Sequence, residues 1–321
     1  MIYKKVPIVE IDLRNDRFRI SYMPHRKRLT ESIHAIGLIH PIILRTINST
    51  EYCQIISGFQ RVQSCIDLNM KQIDSIIYSS DELSDAKALL LSLHQTVTSR
   101  AMNLIEKSLC LRKLSEIGHM EEATLITDIM PLLDLEPGKK IFQNVMRLWE
   151  LDDHLKAYIV ENNVALSNAA LFSSFSREDQ KNLFDLIIPL RLGTNKLKEF
   201  LTHIDEIRHR DEIVASQIID SEMKTILADQ NMPTPQKIET IRKRLKEKRF
   251  PALAALEKKI QNNLRQLKLP PELSLSIPPF LEGEKLKVDF SFKNEEELRE
   301  IIIKLTALSR QKELETILEM L

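Results

Sequence analysis

The spacing of apolar residues along the chain changes near residue 80. Before that point, short apolar runs such as Ile42–Leu44 and Ile55–Ile56 lie between turn-forming residues, which is typical of strands. After it, apolar residues recur every three or four positions, which is the spacing of one face of a helix. Glycine is scarce, at 6 of 321 residues, and this also favours helices. The pattern predicts a multidomain α+β fold that is mostly helical, with an α/β region at its N-terminal end.

The first 70 residues predict alternating helices and strands. Leu29, Ile33 and Ile36 share one helical face, and Gly37 stands where that helix would stop. Pro41 can open a strand because it has no amide donor to lose. The predicted elements are a helix over 28–36, a strand over 41–44, a turn over 48–50, a returning strand over 52–56 and a helix over 59–68.

Two stretches in this region, residues 37–45 and 55–61, each place a glycine and an arginine at the edge of a predicted strand. The pairs are Gly37 with Arg45, and Gly58 with Arg61. Arg61 falls in the first turn of the following helix, where free backbone amides and a guanidinium can face an anion together. The stretches therefore predict a phosphate-binding site. The alternative, that Gly58 is only a turn residue and Arg61 a solvated helix residue, stays open.

The order of these residues resembles the N-terminal domain of the ParB family of chromosome and plasmid partition proteins. In the family's first stretch this chain keeps Gly37, Pro41 and Arg45 and has His40 in place of a glutamine. In the second stretch it keeps Gly58 and Arg61, while Phe59, Gln60 and Ser64 replace a glutamate, an arginine and an alanine. The family's third stretch would fall near residues 93–100, where its acidic residue and asparagine are missing and only residues 103–107 match its tail.

The resemblance implies that the first two stretches bind the phosphates of cytidine triphosphate (CTP). The implied nucleotide-binding residues are Gly37, His40, Pro41, Arg45, Ser57, Gly58, Phe59, Gln60 and Arg61. In the family the third stretch helps to hold magnesium and supports hydrolysis, and the missing oxygen ligands leave magnesium binding an open question here. We therefore expect CTP binding with at most a weak CTPase activity, and we assign no catalytic residue.

Residues 121–150 outline a helix-turn-helix motif. An acidic amphipathic helix over 121–133 is followed by a turn over 134–138 and a second helix over 139–150. In this motif the second helix enters the major groove of DNA, so its polar residues are candidate DNA contacts. These are Lys139, Lys140, Gln143, Asn144 and Arg147. An ordinary pair of amphipathic helices is the alternative, and Pro131 should kink or end the first helix.

The segments that follow resemble the ParB helical domain in order and spacing. They are residues 147–151, 166–171 and 176–180, and the family's turn adds Ser167 to the implied DNA contacts. Farther along, residues 237–249 hold seven basic residues against two acidic ones and form the strongest basic patch in the sequence. Its candidate contacts to the DNA backbone are Arg242, Lys243 and Arg244, and a solvated charged helix is the alternative.

The C-terminal pattern predicts a small domain of helix, strand and helix. An apolar stripe from Leu253 to Leu267 follows one helical face, and Leu286–Phe292 alternates as in a half-buried strand. Asn294 can cap the last helix. The apolar surfaces are large for so few residues, so we expect this domain to pair with a second copy of the chain. Its order resembles the ParB dimerisation domain, and packing within one chain is the alternative.

Length and composition limit the remaining choices. We predict a nucleotide-binding-type domain (1–100), a helix-turn-helix domain (101–228), a basic linker helix (229–250) and a C-terminal dimerisation domain (251–321). Basic and acidic residues are equal in number, 46 each, so any DNA-binding surface must be local. The few cysteines lack metal-site spacing, and neither a signal peptide nor a membrane-length apolar run is present, which predicts a cytoplasmic protein.

These features predict a ParB-like DNA-binding homodimer that acts as a CTP-gated clamp or as a partition or nucleoid-associated factor. Its expected partners are double-stranded DNA, a second copy of itself and a ParA-type ATPase, with no membrane. A nucleotide-independent transcription regulator or scaffold is the main alternative. A nuclease is less favoured because carboxylates do not cluster near Gly58 or Arg61, and a sulfiredoxin-like enzyme because Phe59 stands at the cysteine position.

Overall fold

The computed structural model describes residues 1–24, 26–47, 52–267, 269–276 and 286–320. They form two compact units, Met1–Leu201 and Thr202–Leu321, and each is described by itself. The division falls inside the region 101–228, and the four domain ranges expected from the sequence stay predictions. The turn predicted over 48–50 lies outside the described residues.

A mixed sheet and three helices form the N-terminal part of the first unit. Its strands are β1 (Ile2–Pro7), β2 (Ile11–Asp12), β3 (Ile42–Thr46), β4 (Cys53–Ser57) and β5 (Gln72–Tyr78), and its helices are α1 (Lys27–Ile36), α2 (Phe59–Asp67) and α3 (Asp85–Ser99). The strand order is β1-β5-β3-β4-β2. β1 is antiparallel to β5 and β3 to β4, whereas β3 runs parallel to β5 and β2 to β4.

Side chains of the sheet divide between two apolar clusters because successive strand residues point to opposite faces. Ile42 and Leu44 of β3 pack in one cluster with residues of α1 and α2. Ile43, between them, packs in the other cluster, which contains Leu89 and Leu93 of α3. The sheet is therefore covered on both sides, and α2 and α3 belong to different layers.

Helices make up the rest of the first unit. They are α4 (Leu104–Glu116), α5 (Glu122–Thr124), α6 (Met130–Leu132), α7 (Lys139–Arg147), α8 (Asp153–Glu161), α9 (Leu166–Phe172), α10 (Arg177–Leu190) and α11 (Thr194–Asp211), which ends in the second unit. The kink predicted at Pro131 takes the form of a π turn over Leu125–Ile129, directly before α6. Pro131 directly follows this π turn and has no backbone amide to donate to the preceding turn.

The second unit continues with helices and ends with a hairpin and two more helices. Its elements are α12 (Ala215–Ile218), α13 (Ser221–Ala228), α14 (Thr234–Arg249), α15 (Pro251–Gln266), β6 (Leu273–Ser276), β7 (Lys287–Phe290), α16 (Glu295–Leu308) and α17 (Lys312–Glu319). β6 and β7 pair antiparallel. Across the described residues, the α+β and mostly helical fold expected from the sequence is confirmed.

The C-terminal hairpin differs from the single half-buried strand expected there. Asn294 caps α16 as predicted, accepting a hydrogen bond from the Glu297 amide at 2.9 Å. Val288 and Phe290 of β7 remain 36% and 42% exposed, and Ile302 of α16 is 51% exposed. Apolar side chains of this unit therefore stay uncovered in the single chain.

Candidate functional site

Parts of the two glycine-arginine stretches come together at the start of α2, where Arg61 meets His40 and Pro41. Gly37 ends α1 with φ at 78°, and Gly58 precedes α2 with φ at 102°, both in the left-handed region that favours glycine. A Cβ atom at Gly58 would lie 2.8 Å from Ile42 Cγ2 and 3.1 Å from Arg61 Nη2. The bend into α2 therefore requires glycine, and it leaves the amides at the start of α2 without helical partners.

Arg61 joins the first stretch to the second. Its Nη1 donates hydrogen bonds to the carbonyl oxygens of His40 at 2.9 Å and Pro41 at 2.8 Å. Burial lowers the pKa of Arg61 from its usual high value. The guanidinium thus fixes the loop before β3 against the start of α2, so the helix N-terminus and the loop form one surface.

Arg45, one of the residues predicted to bind nucleotide, lies inside the domain. Its guanidinium is buried and donates to the Leu83 carbonyl at 2.9 Å and to Gln54 Oε1 at 2.9 Å, and it pairs with Asp85 Oδ1 at 2.8 Å. Its central carbon lies 4.7 Å from the ring centre of Phe18. The reason is strand parity, because Arg45 lies on the sheet face opposite Ile42, whereas Gly58 contacts Ile42. Arg45 stabilises the domain interior and is not placed to meet a nucleotide at Gly58.

The start of α2 is bordered by Arg19, Ser21 and Gln95, which were not predicted as site residues. The guanidinium carbon of Arg19 lies 5.3 Å from the ring centre of Phe59. Gln60 Nε2 donates to Ser21 Oγ at 3.2 Å. The Ser57 hydroxyl hydrogen bonds to Gln95 Oε1 of α3. No local spacing signals these neighbours, because they come from segments about 40 residues away in the chain.

The third stretch contributes a buried carboxylate rather than an open one. Glu106 is fully buried and accepts two hydrogen bonds of 2.7 Å from the Arg100 guanidinium. It also accepts from the backbone amides of Tyr22 at 3.0 Å and Asn103 at 3.1 Å. With its acceptor sites taken by these donors, Glu106 is not free to ligate magnesium. Among the described residues, no group of three or more His, Cys, Asp or Glu side chains could hold a metal ion.

The second helix of the predicted helix-turn-helix presents a polar face. Phe142 and Val145 of α7 are buried in the core of the unit. The candidate DNA contacts Lys139, Lys140, Gln143 and Arg147 are exposed, and Asn144 is half-buried. This division follows from the 3.6-residue period of the helix. Ser167, on α9, is also exposed.

Several basic residues of α14, including the candidate DNA contact Arg244, pair with acidic residues inside the second unit. Arg244 donates to Asp220 Oδ2 through Nε at 3.0 Å and Nη2 at 2.9 Å, and Lys248 Nζ pairs with the same oxygen at 3.0 Å. Arg242 Nη1 lies 3.6 Å from Glu239 Oε2. Lys243 is exposed. The apparent charge of the patch therefore serves mainly to hold α14 against α13, whose first turn Asp220 caps.

Comparison with known families decides the identity of the N-terminal region. Residues 2–94 match the family model of the ParB N-terminal domain. This region is a ParB N-terminal domain. The ParB resemblance found in the sequence is confirmed by this match. The match includes both glycine-arginine stretches and most of α3.

Known proteins and solved structures are similar to this chain at low identity. A nucleoid occlusion protein from Oceanobacillus iheyensis is 20% identical over 185 residues, 57% of this chain and 62% of that protein. The chain therefore spans less than two thirds of the length of that relative. Two crystal structures of C-terminally truncated chromosome-partitioning protein ParB from Caulobacter crescentus are also similar. The complex with the centromeric parS site has 20% identity, covers 62% of this chain and 98% of that one, and gives a TM-score of 0.37. The complex with CTP-gamma-S has 21% identity, covers 59% of this chain and 99% of that one, and gives a TM-score of 0.28.

The start of α2 has the glycine bend that the ParB resemblance implies, but its first side chains differ from those of the family. His40, Pro41 and Ser57 to Arg61 lie around one helix start, and Gly37 ends α1. Phe59 and Gln60, which replace charged family residues, contact Arg19 and Ser21 instead. An exposed cation from the segment before α1 therefore lies beside the helix start.

Proposed function

We propose that this chain is a DNA-binding protein of the partition or nucleoid-occlusion type, in which α7 enters the major groove of double-stranded DNA. The observation that carries the proposal is the exposed face of α7. Two lysines, a glutamine and an arginine face solvent there, while Phe142 and Val145 anchor the helix in the core. This helix follows a ParB N-terminal domain in the same compact unit.

The side chains of that face fit the chemistry of the groove. Gln143 and Asn144 can donate to and accept from the edge of adenine, and Arg147 can bind guanine through two hydrogen bonds. Lys139 and Lys140 lie in the first turn of α7 and are placed to reach phosphates. Ser167 and Lys243 are further candidates for contacts to the backbone. The proposal does not include Arg244, which is held by Asp220.

A salt titration with the double variant Lys139→Ala/Lys140→Ala tests DNA binding. Loss of two phosphate contacts should weaken binding to mixed-sequence duplexes and reduce the slope of log K against log salt by about 2. Fluorescence anisotropy of labelled duplexes measures both quantities. The matched control is Lys196→Ala/Lys198→Ala, two exposed lysines on α11 outside the motif. Equal slopes for wild type and the α7 variant would exclude this face.

We further propose that the ParB N-terminal domain binds CTP at the start of α2 and so switches the protein between two forms. The support is the glycine bend at Gly58, the first-turn amides of α2, which have no partners within the helix, and the nearby cations Arg61 and Arg19. A ligand that binds one form better shifts the population toward it. Because both carboxylate oxygens of Glu106 are hydrogen bonded to Arg100, we expect CTP to bind without rapid hydrolysis.

Isothermal titration with CTP, ATP, GTP and UTP, with and without magnesium, tests the switch. Wild type should bind CTP selectively, and Arg61→Ala should lose it because the loop and the helix start are no longer joined. Arg28→Ala, an exposed arginine on α1, is the matched control and should bind as wild type does. Absence of binding to all four nucleotides would favour the nucleotide-independent regulator or scaffold. The hydrogen bonds of Arg45 and Glu106 within the domain are consistent with that alternative.

The proposal places the protein in the cytoplasm at the nucleoid, as a homodimer and with a ParA-type ATPase as an expected partner. Among the described residues, no helix is both long and apolar enough to span a bilayer. Co-purification from cells with and without nuclease treatment tests the association with DNA, and the motor partner would be identified in the same experiment.

A further inference from the structure

One short segment contacts several helices of the first unit at once. We call Asp16–Tyr22 the strap. At its N-terminal end, Lys113 Nζ of α4 donates to the Asp16 carbonyl at 2.5 Å, and Arg17 Nε donates to Asp85 of α3 at 3.1 Å. The strap is therefore attached to both α3 and α4 where it begins.

The centre of the strap is anchored in the core. Phe18 is fully buried, Ile20 is 3% exposed, and both belong to the apolar cluster that contains α3. The hydroxyl of Ser92, on α3, lies 3.4 Å from the Phe18 carbonyl oxygen and donates to it. Two buried side chains two residues apart fix the backbone of the strap on one layer, so it can shift only together with its neighbours.

The C-terminal half of the strap touches the start of α2. Arg19 lies over the Phe59 ring, and Ser21 accepts the hydrogen bond from Gln60. Phe59 and Gln60 are the first two residues of α2, directly after the Gly58 bend. A change in the position of the helix start would therefore displace Arg19 and Ser21.

The last strap residue reaches the end of the DNA-facing helix. The ring of Tyr22 meets the ring of Trp149 edge-on, with centroids 6.1 Å apart and planes at 84°. Trp149 lies in the turn that directly follows α7. Lys156 of α8 lies 4.6 Å from the centre of the Trp149 ring and donates to the Trp149 carbonyl at 3.3 Å. The backbone of Tyr22 is held by α4 through Glu106 and Asn103.

We propose that the strap is a mechanical link between the start of α2 and the end of α7, with Tyr22 as the positioning residue for Trp149. The path runs from Gln60 to Ser21, through one peptide bond to Tyr22, and across the aromatic contact to Trp149. A ligand at Gly58 would act on α7 along this path, and that trigger rests on the proposed nucleotide site. The link itself rests only on contacts within the chain.

The experiment uses Trp149 as the reporter, because the chain has one tryptophan. Emission maximum and acrylamide quenching are measured on the full chain without ligand for wild type and Gln60→Ala. Loss of the hydrogen bond to Ser21 should increase quenching and shift the emission to longer wavelength. Gln63→Ala is the matched control, because Gln63 lies one turn later on α2 and bonds within the helix to Asp67. It should leave both signals unchanged.

A second set of variants tests whether the signal travels through the strap. Ser21→Ala removes the same hydrogen bond, so it should reproduce the change, and the double variant with Gln60→Ala should show no more than either alone. In a Tyr22→Leu background, Gln60→Ala should have no further effect on Trp149, whereas Tyr22→Phe keeps the ring and should keep the response. Far-UV circular dichroism verifies folding, and the Ser21 cycle decides the question even if Tyr22→Leu does not fold.

Three results would overturn the link. They are an unchanged Trp149 signal in Gln60→Ala, additive changes in the Ser21 and Gln60 pair, and an undiminished response in the Tyr22→Leu background. Failure of the nucleotide proposal looks different, because CTP would then leave Trp149 unchanged in wild type while the response to Gln60→Ala persists. The two outcomes are read from the same protein samples.

Discussion

Gly58 is the residue on which the local geometry depends most. Replacement by alanine would combine a φ of 102° with a Cβ 2.8 Å from Ile42 Cγ2, so we expect a loss of about 1–3 kcal/mol in the free energy of unfolding. Urea denaturation followed by circular dichroism measures it. Gly193→Ala is the control, because its Cβ would meet no atom within 4 Å, and we expect no loss there. A Gly58→Ala protein as stable as wild type would contradict the assigned strain.

The roles of some residues could be predicted from the sequence, and those of others could not. Gly37 and Gly58 were found because a helix stop and a bend are local signals in the chain. The buried position of Arg45 could not be predicted, because it depends on strand parity and on Asp85, 40 residues later. Burial alone would raise the pKa of Asp85, but the hydrogen bonds from Arg17 and Arg45 outweigh it and lower the pKa. Such partners are decided by tertiary packing, which spacing does not reveal.

The contact between α13 and α14 depends on one carboxylate. Burial alone would raise the pKa of Asp220, but the Met223 amide, Arg244 and Lys248 together lower it to about 2. Since a pKa unit corresponds to about 1.4 kcal/mol, Asp220→Asn should cost about 2 kcal/mol at neutral pH.

The stabilisation by Asp220 depends on pH because its pKa differs between the folded and unfolded chain. Because the pKa is lowered on folding from 3.8, the stabilisation by Asp220 is present above about pH 4 and is lost as the pH falls toward 2. The difference in the free energy of unfolding between wild type and Asp220→Asn, measured from pH 7 to pH 2, should therefore shrink below pH 4 and be smallest at pH 2. Asp81→Asn, at an exposed position, should follow wild type throughout. A constant difference between wild type and Asp220→Asn across the range would rule out the ionised carboxylate as the cause.

Elements were predicted according to the strength of their periodic signal. The helix α7 is predicted from the sequence because its apolar residues repeat at helical spacing. β6 was missed because it has only four residues, Leu273–Ser276, between prolines and a region outside the described residues. Its existence depends on pairing with β7, where Leu275 lies opposite Val288. Its four residues alternate leucine and serine, but a run of this length is too short to distinguish a strand from a loop.

At the scale of the whole molecule, the uncovered C-terminal surface favours association of two chains. Val288, Phe290 and Phe292 are 36%, 42% and 50% exposed, and a neighbouring cavity of about 240 Å³ is lined almost wholly by apolar side chains. We expect Phe290→Asp to convert a dimer into a monomer, because a buried unpaired charge is costly. Sedimentation equilibrium measures the mass. Val9→Asp is the control at an equally apolar exposed position, and a monomeric wild type would refute the proposed homodimer.

The order of the N-terminal sheet has one consequence for the behaviour of the chain in concentrated solution. β1 and β2 lie at its two ends, and an outermost strand can template the addition of a strand from another molecule. β2 has only two residues, and β1 carries the exposed Lys4 and Lys5. Shortness on one side and like charges on the other both disfavour edge-to-edge aggregation. The two lysines therefore help to keep the protein dispersed at the high local concentrations that assembly on DNA would create.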